Sequence, residues 1–357
     1  MALSKITNAS VADTAVHGRR NLIINGAMQV AQRGTSTTGV TGQGYHAVDR
    51  FDQNITTMGA YTISQSTTAP TDFTTSLKMD VTTADASPAS GDVVAIRTKL
   101  EGLNLQQLNF GSSDAKSITL SFYVKSNKTG TYVVSSYLAD AAKQWGKTYT
   151  IASADTWERK TITWQGSSNS SVINNDSGSG IIFTWYLGAG TGRTSGSAQT
   201  DWTAYATADE AVGQTVNIAD STANEFLITG VQLEVGEQAT PFEHRSYGDE
   251  LSACQRYYTE IQKASGQVIS GTTSVFCGVF PTEMRTTPSA SLSGALTIWQ
   301  LGIAGSKGQS SSNISVNSSI NSASVFNAEC ANFTGMTLNY ATAVAGGDQP
   351  LKFDAEL

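Results

Sequence analysis

Four aromatic side chains are the first candidates for chemistry. Trp145 with Tyr149, and Trp202 with Tyr205, form two pairs set among Gly, Asp, Gln and Thr. An exposed ring flanked by hydrogen-bonding groups stacks on the face of a sugar while its neighbours take the hydroxyls. The same rings also suit core or intersubunit packing, because aromatic residues are enriched at interfaces as well, and both readings stay open. Trp157, Trp164 and Trp185 stand in alternating, strand-like segments and read as core.

Catalytic constellations are sparse. Asp49, Asp52, Glu101, Asp201, Asp209, Glu210 and Glu234 are numerous enough for a glycosidase pair, which geometry alone would reveal. No motif orders them, so solvated turn carboxylates or a structural calcium site is the better reading. The sequence singles out no calcium ligands, and no other cofactor is expected. The histidines are His17, His46 and His244, far apart and in no metal-binding spacing, which leaves a metal site or a histidine-based triad without support. The stretch Gly178-Ser179-Gly180 lies in a Ser/Asn/Gly loop with no strand-to-helix elbow. Residues 188–192 (GAGTG) lack the Lys-Ser/Thr of a phosphate loop. A non-enzymatic role is expected.

Composition narrows the class further. Of the 357 residues only 14% are charged, and Ser, Thr, Asn and Gly fill the gap, a mixture poor for helices and suited to short strands and tight turns. The net charge of −7 argues against an electrostatic grip on nucleic acid or on an anionic membrane. Cys254, Cys277 and Cys330 are odd in number and lack C-x-x-C spacing, so buried free thiols are expected, with one disulfide in the C-terminal third left open. No apolar run reaches the roughly 18 residues of a membrane span, and the N-terminus lacks a signal-peptide core. The expectation is a protein made in a cytoplasm and used without Sec export.

The elements that must position these residues are mainly strands. Residues 117–126 place Ile118, Leu120, Phe122 and Val124 on one face, and residues 131–138 return with Tyr132, Val134 and Leu138 in phase, which predicts an antiparallel hairpin. Residues 157–164 and 181–187 repeat the pattern, the latter with Ile181, Phe183, Trp185 and Leu187 on one face. Residues 21–36 and 226–244 each read as a strand that breaks at a glycine, bracketing one large β-domain. Phe226 and Ile228 share one parity while Val231, Leu233 and Val235 share the other, which predicts a β-bulge at Thr229-Gly230. Leu251, Cys254, Tyr257 or Tyr258, and Ile261 form a helical stripe over residues 248–263, with Asp249 as the cap. Strand-like segments follow. The predicted organisation is an N-terminal arm at 1–20, a jelly-roll β-sandwich at 21–247, a linker helix at 248–265 and a smaller C-terminal β-sandwich at 266–357, in a mainly β fold.

Several of these segments carry a resemblance. Residues 21–34 (NLIINGAMQVAQRG) followed by 45–51 (YHAVDRF) resemble the opening of a jelly-roll module of bacteriophage tail-fibre and virion-appendage proteins. Residues 100–108 (LEGLNLQQL) and 121–126 (SFYVKS) fit its middle, and 230–243 (GVQLEVGEQATPFE) its close, a pattern shared with carbohydrate-binding β-sandwiches. Residues 250–258 (ELSACQRYY) and 280–288 (FPTEMRTTP) resemble the helix and C-terminal β-domain that follow. The resemblance implies a homotrimer displayed on the virion, bound to another virion protein of tail or capsid and touching a host surface polysaccharide. Leu3, Ile6 and Val11 of the arm, with Leu251, Tyr257 and Tyr258, would then serve particle docking or trimer contacts. Only about 20 residues precede the module, which suggests mounting almost directly on the particle. A decoration or adaptor protein without a ligand is the alternative, and a glycan-degrading tailspike the third reading.

Overall fold

The computed structural model describes residues 19–168, 171–292, 294, 296–301, 309–311, 313–316, 322–333, 336–344 and 350–357. Leu3, Ile6 and Val11 of the expected docking arm lie outside the described residues. The chain divides into two compact units, Met1–Glu250 and Leu251–Leu357. The fold is mainly β, a jelly-roll sandwich followed by a short helix and a smaller β-domain.

The first unit contains β1 (Ser36–Val40), β2 (Asp52–Thr56), β3 (Ala60–Ser66), β4 (Ser76–Thr83), β5 (Val93–Glu101), β6 (Ile118–Ser126), β7 (Gly130–Leu138), β8 (Lys143–Ile151), β9 (Glu158–Trp164), β10 (Ser179–Ala189), β11 (Thr203–Ala204) and β12 (Glu225–Val235). A short helical turn, α1 (Thr191–Thr194), sits between β10 and β11. The strands form two six-stranded antiparallel sheets, ordered β1-β3-β4-β12-β6-β9 and β11-β8-β7-β10-β5-β2. Period-two alternation builds the core between them: Ile118, Leu120, Phe122 and Val124 of β6 and Ile181, Phe183, Trp185 and Leu187 of β10 are all buried. Trp164 joins them, whereas Trp157 precedes β9 and is only half-buried, not core as expected.

Two expectations about connection need correction. β6 and β7 do not pair as a hairpin: β6 pairs with β12 and β9, and β7 with β8 and β10, so the two face each other across the core. Both strands carry one apolar face, and lying in opposite sheets buries both faces at once; Gly130 at φ +137° takes the turn between them. The opening segment, residues 21–34, is not a strand. Asn25 and Met28 adopt left-handed backbone, and the Asn25 side chain bonds to Val30 N, Val30 O and Asp49 O at 2.9 Å each, replacing a strand partner.

The predicted bulge is present. β12 shifts register against β6 between Thr229 and Gln232, with Gly230 at φ +61°. It is here that the two bracketing segments meet. Val231 N donates to Gly26 O at 2.9 Å, Asn21 Nδ2 to Val231 O at 3.1 Å, and Leu22 N to Leu233 O at 3.0 Å. Glu243 accepts from Asn21 N at 2.9 Å and Arg20 N at 3.2 Å. Arg245 donates to Ile23 O at 3.2 Å and also bonds Asn21 O. A side chain at Gly26 would place its Cβ 2.1 Å from Val231 O, so the glycine is required for this approach.

The helix α2 runs Tyr247–Gln255, about half the predicted length. Ser246, not Asp249, caps it, its hydroxyl accepting from Asp249 N at 3.2 Å. Tyr257 and Tyr258 are therefore not on the helix. Tyr258 opens β13 (Tyr258–Ile261), and pairing with β22 (Leu351–Asp354) overrides the helical stripe. Both tyrosines are buried within their own unit and Leu251 is half-buried, so the two rings offer no surface for trimer contacts. The rest of the second unit comprises β14 (Ser265–Ser270), β15 (Thr273–Val279), β16 (Ser289–Ser291), β17 (Leu296–Gln300), β18 (Gln309–Ser311), β19 (Asn313–Val316), β20 (Val325–Ala331) and β21 (Ala341–Val344). They form sheets ordered β13-β22-β16 and β18-β17-β21-β14-β15-β20-β19 around Phe276, Phe326, Phe353 and Leu351. None of the three cysteines is in a disulfide; Cys254 and Cys330 are buried as expected, but Cys277 is exposed. Burial pushes the Cys330 thiol up to about 12.

Candidate functional site

Of the four aromatic candidates, three are core. Trp145 is 3% and Trp202 6% exposed; their rings meet edge to face at 5.9 Å, and their indole N–H groups donate to Gln199 O (3.1 Å) and Gln165 O (2.7 Å). Tyr149 stacks on Tyr132 at 5.6 Å and is buried, which raises its phenol well above the usual value. These rings have no face free for a sugar, so core packing is the reading the structure supports for them. Tyr205 differs. It is 45% exposed, its ring edge meets Tyr137 at 5.3 Å, and its hydroxyl donates to Glu210 Oε1 at 2.6 Å.

Tyr205 stands over the outer face of the second sheet, where strand register lines up two rows of residues, of which Arg97, Lys99, Ile182 and Tyr137 are half-buried and Thr203 exposed, whereas Asp52, Thr184, Ser135 and Gln144 are buried. Cross-strand pairing sets Asp52, Arg97, Thr184, Ser135 and Gly146 in one row across β2, β5, β10, β7 and β8. A second row holds Lys99, Ile182, Tyr137, Gln144 and Thr203. Arg97 is held by Asp52, with its Nε 3.1 Å from the carboxylate. Gln144 Nε2 donates to Ala206 O at 2.8 Å. At the far end of the second row the Tyr45 ring lies under Arg33 (5.1 Å) and Lys99 (5.7 Å). Each row, from β2 to β8 or from β5 to β11, crosses four interstrand spacings of about 4.8 Å and so spans about 19 Å.

One end of this face is roofed by residues 190–216, whose Ala211 packs on Val93, Ala95, Val133 and Tyr186. Arg193 pairs with Glu210 inside the roof. Burial first, and then the Glu210 charge, raises the Tyr186 phenol well above its usual value; burial first, and then the hydrogen bond to Glu210, raises Tyr205. Where the roof crosses β8 it leaves a cavity of about 310 Å³ lined by Gly146, Lys147, Thr148, Ala198, Gln199, Asp209 and Val212. Gln199 Oε1 accepts from Gly146 N at 2.6 Å and Asp209 Oδ1 from Ser197 N at 2.8 Å, fixing two polar side chains at its wall.

The remaining carboxylates are built into the frame. Asp49 accepts from Gln32 N at 3.1 Å, Asp201 from Trp202 N at 2.7 Å, and Glu234 from Thr240 N at 2.9 Å, while Glu101 is fully buried. Asp52 and Glu210 each have an arginine partner. Among the described residues, no group of three or more His, Cys, Asp or Glu is arranged to hold a metal ion. The arrangement offers hydrogen-bond donors, acceptors and ring faces to a neutral polyhydroxylated ligand. Arg97, Lys99, Tyr137, Gln199 and Tyr45 were not anticipated. The outward parity of β5 and β7 could have flagged Arg97, Lys99 and Tyr137, but which sheet they shared could not be read from parity.

Neither a protein-family model nor a curated protein matches the sequence. Solved structures that resemble the fold include the enzymatically active domain of tailspike protein 4 of bacteriophage CBA120, with 13% identity and a TM-score of 0.32, covering 60% of this chain and 21% of that one. The chain thus spans about a fifth of the tailspike. A family 11 carbohydrate-binding module of a cellulosomal cellulase of Clostridium thermocellum shows 10% identity and a TM-score of 0.27, covering 61% of this chain and 97% of that one. The module TmCBM61, solved with β-1,4-galactotriose, shows 6% identity and a TM-score of 0.30, covering 60% and 99%.

Proposed function

We propose that the chain is a non-catalytic, glycan-binding protein of a phage virion appendage, whose first unit receives a surface polysaccharide across the outer face of its second sheet. The observation that carries the binding reading is the exposed Tyr205 ring, braced by Tyr137, beside the half-buried side chains of Arg97 and Lys99. The ring would stack on one sugar, Arg97, Lys99 and the Tyr137 hydroxyl would bond hydroxyls of its neighbours, and the Gln199–Asp209 cavity would accept a branch. No cofactor enters this role. The virion, particle-docking and homotrimer parts of the proposal rest on the resemblance of residues 21–51 and 230–258 to phage appendage proteins.

Calorimetric titration of the purified chain with host surface polysaccharide tests the reading. A stacked ring contributes about 0.5–1.5 kcal/mol, so Tyr205→Ala weakens binding roughly 2- to 13-fold. Arg97→Ala, which removes a charged donor, weakens it by a further order of magnitude. The polysaccharide is recovered uncut. No binding to any host glycan, with particles losing integrity when the protein is omitted, would instead support a decorating role; shortened chains would support a tailspike.

A further inference from the structure

Oxygen acceptors converge on the cavity beneath the roof of the first unit. One wall is Gly146, on the outward side of β8. A Cβ built there would stand 3.5 Å from Gln199 Oε1, 3.6 Å from Glu210 O and 3.7 Å from Asp209 O, so three oxygens of the roof surround one point. Asp209 adds its carboxylate. Oδ1 accepts from Ser197 N at 2.8 Å and packs so closely on Gly196 that a Cβ at that glycine would overlap it, which fixes the side chain. Among the described residues no cation pairs with Asp209. Lys147 also lines the cavity, but its Nζ donates to Thr163 O at 2.6 Å and lies 4.1 Å from the centre of the Trp145 ring. Arg193 is held by Glu210. The Gln199 amide is engaged at both ends, accepting from Gly146 N and donating from Nε2 to Thr203 Oγ1 at 2.8 Å. The wall therefore asks a ligand for hydrogen-bond donors.

We infer that this cavity selects a neutral sugar branch through its hydroxyl donors and refuses acidic sugars, with Asp209 as the residue that sets the choice. The inference rests on the glycan-binding reading and names the chemistry of the branch that reading places here. A sugar hydroxyl donates as well as accepts, so a hexose can satisfy the Asp209 carboxylate and the oxygens around Gly146 together. A uronate, or a sugar bearing phosphate or sulfate, instead brings an anionic acceptor. It would meet the Asp209 charge with no cation beside it, and like charges brought together in a site suppress the wrong partner. Hydrogen bonds to a charged group are also stronger than neutral ones, and a site built for a donor discriminates sharply against a ligand that lacks it. Size agrees with a single residue. The cavity holds about 310 Å³, at the lower end of the roughly 300–1,000 Å³ of ligand pockets.

The test is amide proton–nitrogen NMR of the full chain near neutral pH, titrated with matched pairs of sugars: glucose and glucuronate, galactose and galacturonate, mannose and mannuronate. Each pair differs only in a hydroxymethyl against a carboxylate. The amides of Gly146, Ser197 and Gln199 report on the cavity. At least one hexose should shift them, and its uronate should bind roughly 10-fold more weakly or worse. Asp209→Asn keeps an acceptor for Ser197 N but removes the charge; it should weaken the hexose roughly 10-fold and bring the two sugars to near-equal affinity. Gly146→Ala places its Cβ at ordinary contact distance from its neighbours, so it should leave the circular dichroism spectrum unchanged and abolish both titrations. A uronate that binds as tightly as its hexose overturns the inference, as does an unchanged preference in Asp209→Asn, or a set of cavity amides that no sugar moves. Host polysaccharide added to the same samples keeps the two claims apart. Shifts around Tyr205, Arg97 and Lys99 with none at Gly146, Ser197 and Gln199 overturn the cavity assignment alone; no shift at either place removes the glycan-binding reading itself.

Discussion

Two bulge glycines separate the cost of backbone strain from the cost of crowding. Gly39 in β1 and Gly230 in β12 have φ of +69° and +61°, and each lies within a register shift. An alanine at either position is held in left-handed backbone, which costs about 1–2 kcal/mol. Their surroundings differ. Nothing lies within 4 Å of a Cβ at position 39, whereas one at 230 comes 2.7 Å from the Phe73 ring and 2.8 Å from Tyr123. Phe73 is the hub of a ring cluster, 5.4 Å from Tyr123, 5.0 Å from Phe242 and 5.3 Å from His244. Gly230→Ala must push this ring aside, and overpacking of this kind adds about 1–3 kcal/mol. Denaturant unfolding of the first unit should place Gly230→Ala below Gly39→Ala by that amount. In thermal melts each kcal/mol corresponds to about 2–4 °C for a unit of this size. Equal destabilisation by the two variants, to within about 0.5 kcal/mol, would refute the claim that the bulge is locked by the cluster above it.

Other consequences follow from the same contacts. Burial would raise the Glu243 carboxyl, but the N–H groups of Asn21 and Arg20 and the charges of Arg245 and Arg20 outweigh it and hold it below 4.5. A depressed carboxyl stabilises the fold above its unfolded value and loses that contribution as pH falls through the folded one. The first unit should therefore lose stability below about pH 4.5, and Glu243→Gln should flatten that part of the stability–pH curve; an unchanged acid limb would contradict the role of Glu243. Trp202→Ala empties a core site and should cost about 3–5 kcal/mol, measured by urea unfolding, where a cost near zero would return Trp202 to the surface. Mass spectrometry after alkylation of the native chain should find Cys277 modified. Cys254 and Cys330 should react only in denaturant, and equal labelling of all three would show the second unit to be open.

Strand existence was legible because a one-sided core imposes a period of two, as in β6 and β10. The bulge at Thr229-Gly230 was legible for the same reason: a parity change would turn the apolar set of Val231 and Leu233 away from the core unless one extra residue restored it. Pairing was not. Residues 118–138 show two strands of the same amphipathic kind, and nothing local separates lying side by side from lying across a core. The run Leu22-Ile23-Ile24 imitates a strand, but the Asn25 side chain satisfies the backbone of Val30 and turns the chain away. The helix stripe through Leu251 and Cys254 stops short because Tyr258–Ile261 gain a ladder with Leu351–Asp354, a partner some 90 residues distant. At the candidate site, Trp145 and Trp202 have polar neighbours in sequence, and their indole N–H groups are satisfied in a buried setting. Tyr205 has similar neighbours and is exposed. Sequence context alone does not distinguish these two uses of an aromatic residue beside hydrogen-bonding groups.

The most direct test of the glycan-binding claim is a crystal structure of the chain with an oligosaccharide prepared from the host surface. Sugar density is expected across the outer face of the second sheet, with one ring over Tyr205 and hydroxyls within hydrogen-bonding distance of Arg97 and Lys99. Sugar bound elsewhere on the chain, or an empty face at saturating oligosaccharide, would contradict it.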